Sequence, residues 1–439
     1  MTKPSDHGDR SGGLLIGYIG LITVPVALEK IYWSNELRGN AYGEKTGKRN
    51  QHVAAFISKL LLGAAAVSFA PKLTLAEEIQ KDSLDWNAAY YNNSYEKFVT
   101  ESEIGYYIAV NNYLYFVEKE SLTPILLCNK PNCMHKDSSC QAIFQQGQAQ
   151  IVYYDGMIYG IDDTGIFSKG NRTYNLMEIT ADGENRDKKA VIETDGNNFL
   201  IHRNQIFTTY IDEDDHGVIT AFDLETGKQE SIYRSEWNMS QIMDLYAYED
   251  RLYFSETGVD DNETYIAALD CTDLITGETV ENLLQNSTEI EDSEAYVVGI
   301  SDEKLYIRIS SMDTMKSDIY VCDLDGTDAK YITQMSIGQT VMDDENIYLA
   351  SFEDNQIYVY TKEGEQVSVI AIEEKSQDER HLLDVNPVAG SGQYGFISCF
   401  FGMTDGQIYR SILAFDKEKL EMGNAALQTI VEGSLYDMH

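Results

Sequence analysis

The chain has 439 residues, 43% of them apolar and 11% aromatic, enough for one large core with an extension. Its 33 Lys/Arg stand against 72 Asp/Glu, a formal charge of −39. Such a surface repels phosphate backbones and anionic lipid headgroups, which excludes nucleic acid as a ligand of the acidic part.

The charge is unevenly spread. Residues 1 to 76 hold 9 Lys/Arg and 5 Asp/Glu, leaving 24 and 67 for the rest. Within this leader, Gly12 to Leu28 is a 17-residue apolar stretch, at the short end for a membrane span. A second stretch, Val53 to Ala70, is interrupted by Lys59 and contains the 11-residue run Leu60 to Ala70. That run has the size of a signal-peptide core, and Thr74-Leu75-Ala76 resembles a cleavage site. The loop between the stretches carries Lys30, Arg38, Lys45, Lys48 and Arg49, so it is expected in the cytoplasm, with the acidic body outside the cell membrane. Buried soluble helices are the competing reading, since the spans are short and include Pro25. No Cys follows either run to accept a lipid anchor. Residues 77 to 102, polar and rich in Asn and Tyr, read as a spacer before a body that begins at 103.

The segment Leu127 to Phe144 packs Cys128, Cys133, His135 and Cys140 into 13 residues. Three thiolates and one imidazole can complete a tetrahedral zinc site, and Cys133 and His135 point the same way if the chain is extended. The spacing C-x4-C-x-H-x4-C is that of no familiar zinc finger. In an exported body two of these Cys could instead pair as a disulfide staple, leaving the third free or paired with Cys271, Cys322 or Cys399. Those three lie in apolar strand contexts, as core thiols do. A Cys-His pair without an orienting third group is no nucleophilic site.

From Tyr113 to Phe400 one phrase recurs: a polar turn, then an aliphatic residue and an aromatic heading an apolar run. The pairs are Leu114-Tyr115, Ile158-Tyr159, Ile206-Phe207, Leu252-Tyr253, Leu305-Tyr306, Ile347-Tyr348 and, more weakly, Gly395-Phe396. Their spacing of about 42 to 53 residues is the period of a four-stranded propeller blade. The turns ahead of them, such as Asn111-Asn112, Asp155-Gly156 and Arg203-Asn204, suit tight hairpins. A second hairpin in each unit is marked by Gly183, Gly227, Gly277, Gly326 or Gly364. The fold class expected is therefore an all-β β-propeller of seven four-stranded blades over residues 103–439. Six or eight blades remain compatible with the less regular end units, and an open meander or sandwich is the alternative. The tail from Leu427 to Tyr436 is expected to close the ring on the first blade.

Asp212 to Gly217 resembles the start of a calcium loop, but His216 stands where oxygen is needed and no downstream bidentate Glu follows, so it reads as an acidic turn. Val259 to Glu263 is similar and weaker. Gly-rich phosphate loops, HExxH and the nucleophile elbow are absent from the sequence.

The Cys-rich phrase after a Tyr-rich hairpin, followed by units of the form IY…DLDGT…IT, resembles a family of bacterial extracytoplasmic propeller proteins of unknown function. Members are described by analogy with the YWTD-type propeller of lipoprotein receptors. The resemblance covers about residues 98 to 420 and implies a fold and a location, not a reaction. The long leader without a lipid-anchoring Cys departs from the family pattern. The expected function is a membrane-tethered module that binds a protein, peptide or glycan on one propeller face, without catalysis. A carbohydrate- or peptide-processing hydrolase or lyase, and a sensor coupled to the leader, are the alternatives.

Overall fold

The computed structural model describes residues 97 to 434, apart from 138, 145–149, 169–170, 196–197, 261–263, 285–293, 312, 373–379, 389, 391, 404–406 and 423–425. The leader, both of its apolar stretches and most of the spacer lie outside the described residues. Among those described, no helix is long and apolar enough to cross a membrane.

The described residues form seven antiparallel sheets of four strands each. The first sheet consists of Val99–Glu101, Gly105–Val110, Tyr113–Glu118 and Pro124–Leu126. The others run over residues 151–193, 199–234, 238–280, 294–336, 338–370 and 380–434. In every sheet the strands follow chain order, and the first strands of successive sheets touch one another. This is a seven-bladed β-propeller with the first strand of each blade at its axis.

Turn chemistry produces the hairpins. Asn111 and Asn112 have φ of 50° and 64°, Arg203 and Asn204 of 48° and 63°, and Asp302 and Glu303 of 52° and 58°. Two successive left-handed residues match the right-handed twist of the strands they join. The sixth blade uses another device: the Asp343 carboxylate accepts the N–H groups of Glu345 and Asn346 at 2.9 and 2.8 Å.

Apolar burial closes the ring. Seven buried clusters occupy the seven seams between neighbouring blades, each drawing side chains from two sheets. The last seam packs Phe98, Val99, Tyr106 and Ile108 of the first blade on Val388, Phe396, Ile412 and Ile430 of the seventh. Tyr106 and Phe396 meet edge to face with centroids 4.8 Å apart. The Arg410 guanidinium lies 5.0 Å from the Phe98 ring and 5.2 Å from that of Phe400.

Two sequence expectations are corrected. The tail does not close the ring by joining the first blade. Gln428–Ser434 pairs with Ile408–Asp416 as the outermost strand of the seventh blade, so closure rests on side chains and not on strand exchange. The pair Leu114-Tyr115 falls in the third strand of its blade, whereas the other six pairs fall in second strands. The first blade makes its inner turn with residues 102–104, and the Asn-Asn turn that looks like the others comes one strand later. The matching aromatic is Tyr107, whose hydroxyl donates to Ala181 O at 3.0 Å, as Tyr253 donates to Leu324 O at 2.8 Å across another seam.

If the seam between the seventh and first blades carries closure, Phe396→Ala should lower unfolding free energy by about 3–5 kcal/mol, measured by urea denaturation. A loss below about 1 kcal/mol would place closure elsewhere.

Candidate metal centre

The chain makes its longest passage between blades from Leu126 to Ile151. In the first blade the second and third strands have 6 residues each, against 9 and 9 in the fourth and 6 and 5 in the sixth. The connecting loop fills the room left above this short hairpin. Leu114 N donates to Ala142 O at 2.8 Å, Phe144 N donates to Asn112 O at 2.9 Å, and Tyr113 bridges Ile143. Phe144 is fully buried, with the Arg186 guanidinium 4.7 Å from its ring centre. Arg186 also pairs with Asp162 at 2.9 Å and donates to Ile143 O. On the other flank Asn129 N donates to Gly183 O at 3.3 Å. Gly183 has φ of +67°, and a Cβ there would stand 2.8 Å from Leu127 O, so only glycine fits beside the loop.

This scaffold brings the four predicted residues together. The Sγ atoms of Cys128, Cys133 and Cys140 and a ring nitrogen of His135 all lie within 4.8 Å of one another. His135 Nδ1 is 3.2 Å from Cys140 Sγ. Cys140 is buried and the other three are half-buried. A tetrahedral zinc ion with bonds of about 2.3 Å to sulfur holds its ligand atoms about 3.7 Å apart, so little contraction is needed. Backbone turns position the loop: Cys133 N donates to Lys130 O at 3.3 Å and Cys140 N to Asp137 O at 2.9 Å. His135 takes φ of 50°, and its carbonyl accepts the Tyr113 hydroxyl at 3.3 Å.

Electrostatics suit ligation. Burial lowers the His135 pKa, favouring the neutral imidazole that a metal requires. Burial pushes the Cys140 thiol up to about 12, aided by Cys128 beside it. Burial also raises Cys128, but N–H groups of Lys130 and Gln141 and the neighbouring thiols outweigh it and leave its pKa lowered. The cluster is a partly buried Cys3His set able to hold a metal ion such as zinc. All six cysteines are free thiols in the structure. Cys271, Cys322 and Cys399 are buried in the seams, and burial raises the pKa of each. Among the described residues the Cys3His set is the one group of three or more metal-ligating side chains with suitable geometry.

The Asp212 turn is closed by the protein itself. Asp212 Oδ1 accepts Asp214 N and His216 N at 2.9 and 3.0 Å, and Arg234 reaches Oδ2 at 2.7 Å. In the similar turn after Val259, residues 261–263 lie outside the described set.

At the axis the structure assembles groups that no sequence spacing announces. Lys97 is buried, and its Nζ crosses from the first blade to donate to Phe199 O of the third at 2.8 Å. Burial lowers its pKa to about 7, opposed by the charges of Asp244 and Asp195. Asp195 accepts the Thr209 hydroxyl at 2.8 Å. Asp244, with φ of 53°, lines a cavity of about 30 Å³ with Tyr296, Arg308, Gln339 and Thr340. Arg308 stacks 4.6 Å from the Tyr296 ring and donates to Gly338 O. Arg308 Nε and Thr340 Oγ1 are buried without a hydrogen-bond partner, as in a site that admits water. Lys97 precedes the first strand, Asp195 lies in the link after the second blade, Asp244 in the fourth blade, Tyr296 and Arg308 in the fifth, and Gln339 and Thr340 in the sixth, so packing of the blades around the axis makes them neighbours.

No protein-family model matches the chain, and no curated protein matches it. Solved structures do. Dipeptidyl peptidase 4 of Porphyromonas gingivalis is similar over 77% of this chain, at 9% identity and a TM-score of 0.39. The match spans 53% of that chain, about half its length. An oligogalacturonate lyase in complex with manganese aligns over 79% of this chain and 90% of its own, at 12% identity and a TM-score of 0.43. The β-propeller domain of the Trilobed protease from Pyrococcus furiosus aligns over 77% and 98%, at 10% identity and 0.44. At these identities the likeness extends to the fold alone.

Lys97 gives the fold a pH signature. Its folded pKa of about 7 lies below the unfolded value of about 10.4, so the unfolded chain binds more protons between those limits and stability should rise with pH there. Asp270, pushed by burial up to about 7, works oppositely, its contribution being lost as pH rises from about 4 to 7. The urea midpoint of Lys97→Met should therefore lack the gain that the parent shows from pH 7 to 9.5. Parallel profiles would mean that Lys97 is charged or solvated in the folded state.

Proposed function

We propose that this protein is a non-enzymatic ligand-binding propeller, tethered to the cell membrane by residues 1–76 with the propeller on the extracytoplasmic side. Its ligand is a protein, peptide or glycan. In this reading Cys128, Cys133, His135 and Cys140 hold a structural zinc ion. The metal ties a 13-residue loop into a cap over the first blade, adding to the single bridge between Tyr113 and Ile143 that pairs the following residues with that blade.

The observation that carries the proposal is the inequality of the two ends of the propeller. One end bears the links between blades and the hairpins joining second to third strands; it is called the link face below. The Cys loop, the Asp212 turn and the axial groups around Lys97 all belong to this face. The opposite end consists mainly of short turns. The axial cavity of about 30 Å³ has room for ordered water beside Asp244 and Arg308.

A second reading, a hydrolase or lyase acting on carbohydrate or peptide, is favoured by one observation: Lys97, Asp195 and Asp244 interact at the axis, with Arg308 beside Asp244. Purified full-length protein should show no turnover of oligosaccharides or peptides. Turnover abolished by Asp244→Asn would sink the binding reading in favour of this one.

For the zinc centre, metal analysis and intact mass should give about one zinc per chain, lost in His135→Ala, with the mass of six reduced thiols. A deficit of two hydrogens without metal would replace the zinc centre by a disulfide staple.

A further inference from the structure

Among the described residues, exposed apolar side chains are concentrated on the link face. Twelve large apolar residues are exposed. Six of them lie toward that face: Met134, Met239, Tyr265, Met315 and Phe352 on hairpins, links or strand ends, and Leu383 at an irregularity in the first half of its strand. Four lie on outermost strands, and only Ile104 and Ile275 occupy turns at the opposite end. Single exposed apolar residues need no explanation, but their gathering at one end does.

Three of the six are methionines, exposed by 73% (Met134), 64% (Met239) and 43% (Met315). Met239 and Met315 have φ of 50° and 53°, and Met239 lies in a bulge between Asn238 and Gln241. A left-handed conformation costs a residue with a Cβ about 1 kcal/mol, and Gly or Asn would hold either position with less strain. The side chain, not the backbone, accounts for Met at these positions. Unbranched and polarizable, methionine fits apolar partners of variable shape. The backbone links two of these positions across neighbouring blades: Met315 O accepts Ile337 N and Ile337 O accepts Phe352 N, both at 3.2 Å.

Carboxylates surround these residues. The turn 212–216 supplies four, the turn 352–356 two, and Asp260 and Asp313 one each, while no Lys or Arg stands in these turns. The nearby Arg234 is bound to Asp212 and Asp214. Among the described residues a few cations also stand at this end, Lys316 beside Met315 and Lys130 and Lys136 in the Cys loop, where Lys130 donates to Ser139 O, and the carboxylates outnumber them. An adaptable apolar surface set among fixed negative charges complements an apolar stripe flanked by cations, and it repels anions.

We propose that the link face binds a cationic amphipathic peptide segment of a partner protein, with Met239, Met315 and Phe352 receiving its apolar side and the turn carboxylates its Lys and Arg. This rests on the ligand-binding reading above and gives the ligand its chemical class.

The test is calorimetric titration of the full-length protein with a synthetic Lys/Leu peptide patterned as an amphipathic helix. The same composition shuffled to destroy the stripe, and a Glu-for-Lys version, serve as comparisons. The amphipathic cationic peptide should bind, with affinity falling as salt rises, and the Glu version should not. Met315→Ser with Phe352→Ser should weaken binding at least tenfold, and Ile275→Ser at the opposite end should change it less than twofold. Met239→Ser, in another blade, supplies the same readout if the double variant does not fold. No binding, equal binding of the shuffled peptide, or equal loss in Ile275→Ser overturns the proposal. Binding of a neutral peptide or glycan that is lost in the double variant, with no binding of the cationic peptide, overturns the class of ligand and leaves the ligand-binding reading standing.

Discussion

A blade in this ring cannot bury its apolar faces alone. Each sheet is four strands wide and leaves two faces to be covered, so every blade depends on the neighbour before it and the neighbour after it. The seven seam clusters are the consequence. Six of them join segments that follow one another in the chain, whereas the seventh joins Tyr106 to Phe396 across nearly the whole body. The entropy of closing so long a loop grows only with the logarithm of its length, so one well-packed aromatic seam can hold the ends without exchanging a strand.

The Cys loop follows from the same constraint. Shortening the two middle strands of the first blade would leave Leu114 and Tyr107 uncovered at the seam with the second blade. Residues 127–144 cover them, placing Leu127, Cys140, Ala142 and Phe144 in the seam cluster. A loop has no ladder to order it, and a four-ligand metal centre supplies equivalent order from a few side chains. Cys140, with Cys128 and Cys133 packed beside it, is thus part of the apolar wall of the first seam. Its neighbours on the link face, the acidic hairpins and the exposed methionines, are available to a partner because the packing beneath them is already complete.

Much of this was legible from residue order. Asn111-Asn112, Asp155-Gly156 and the five outer-hairpin glycines marked turns because positive φ narrows the choice of residue at such positions. Cys128, Cys133, His135 and Cys140 were legible because a metal site made from one short loop must use nearby residues. The misreadings have physical causes too. Leu114-Tyr115 lies one strand out of phase with the other pairs because the Asn-Asn turn follows the second strand in this blade, and the blade of the tail is not readable from residue order because an outermost strand looks the same whichever blade receives it. Lys97, Asp195, Asp244 and Arg308 carried no signal, since isolated polar residues in different blades share no spacing.

Local chemistry, then, decided the period, the hairpins, the blade count and the ligand set of the Cys loop, all of which depend on residues within about one blade of each other. Tertiary structure decided how the ring closes, which groups meet at the axis, and that the exposed methionines and acidic turns share one end. These depend on which end of each strand faces the same way once seven sheets pack around an axis. That arrangement is a property of the seams and of their buried apolar area, and no segment shorter than the whole ring contains it.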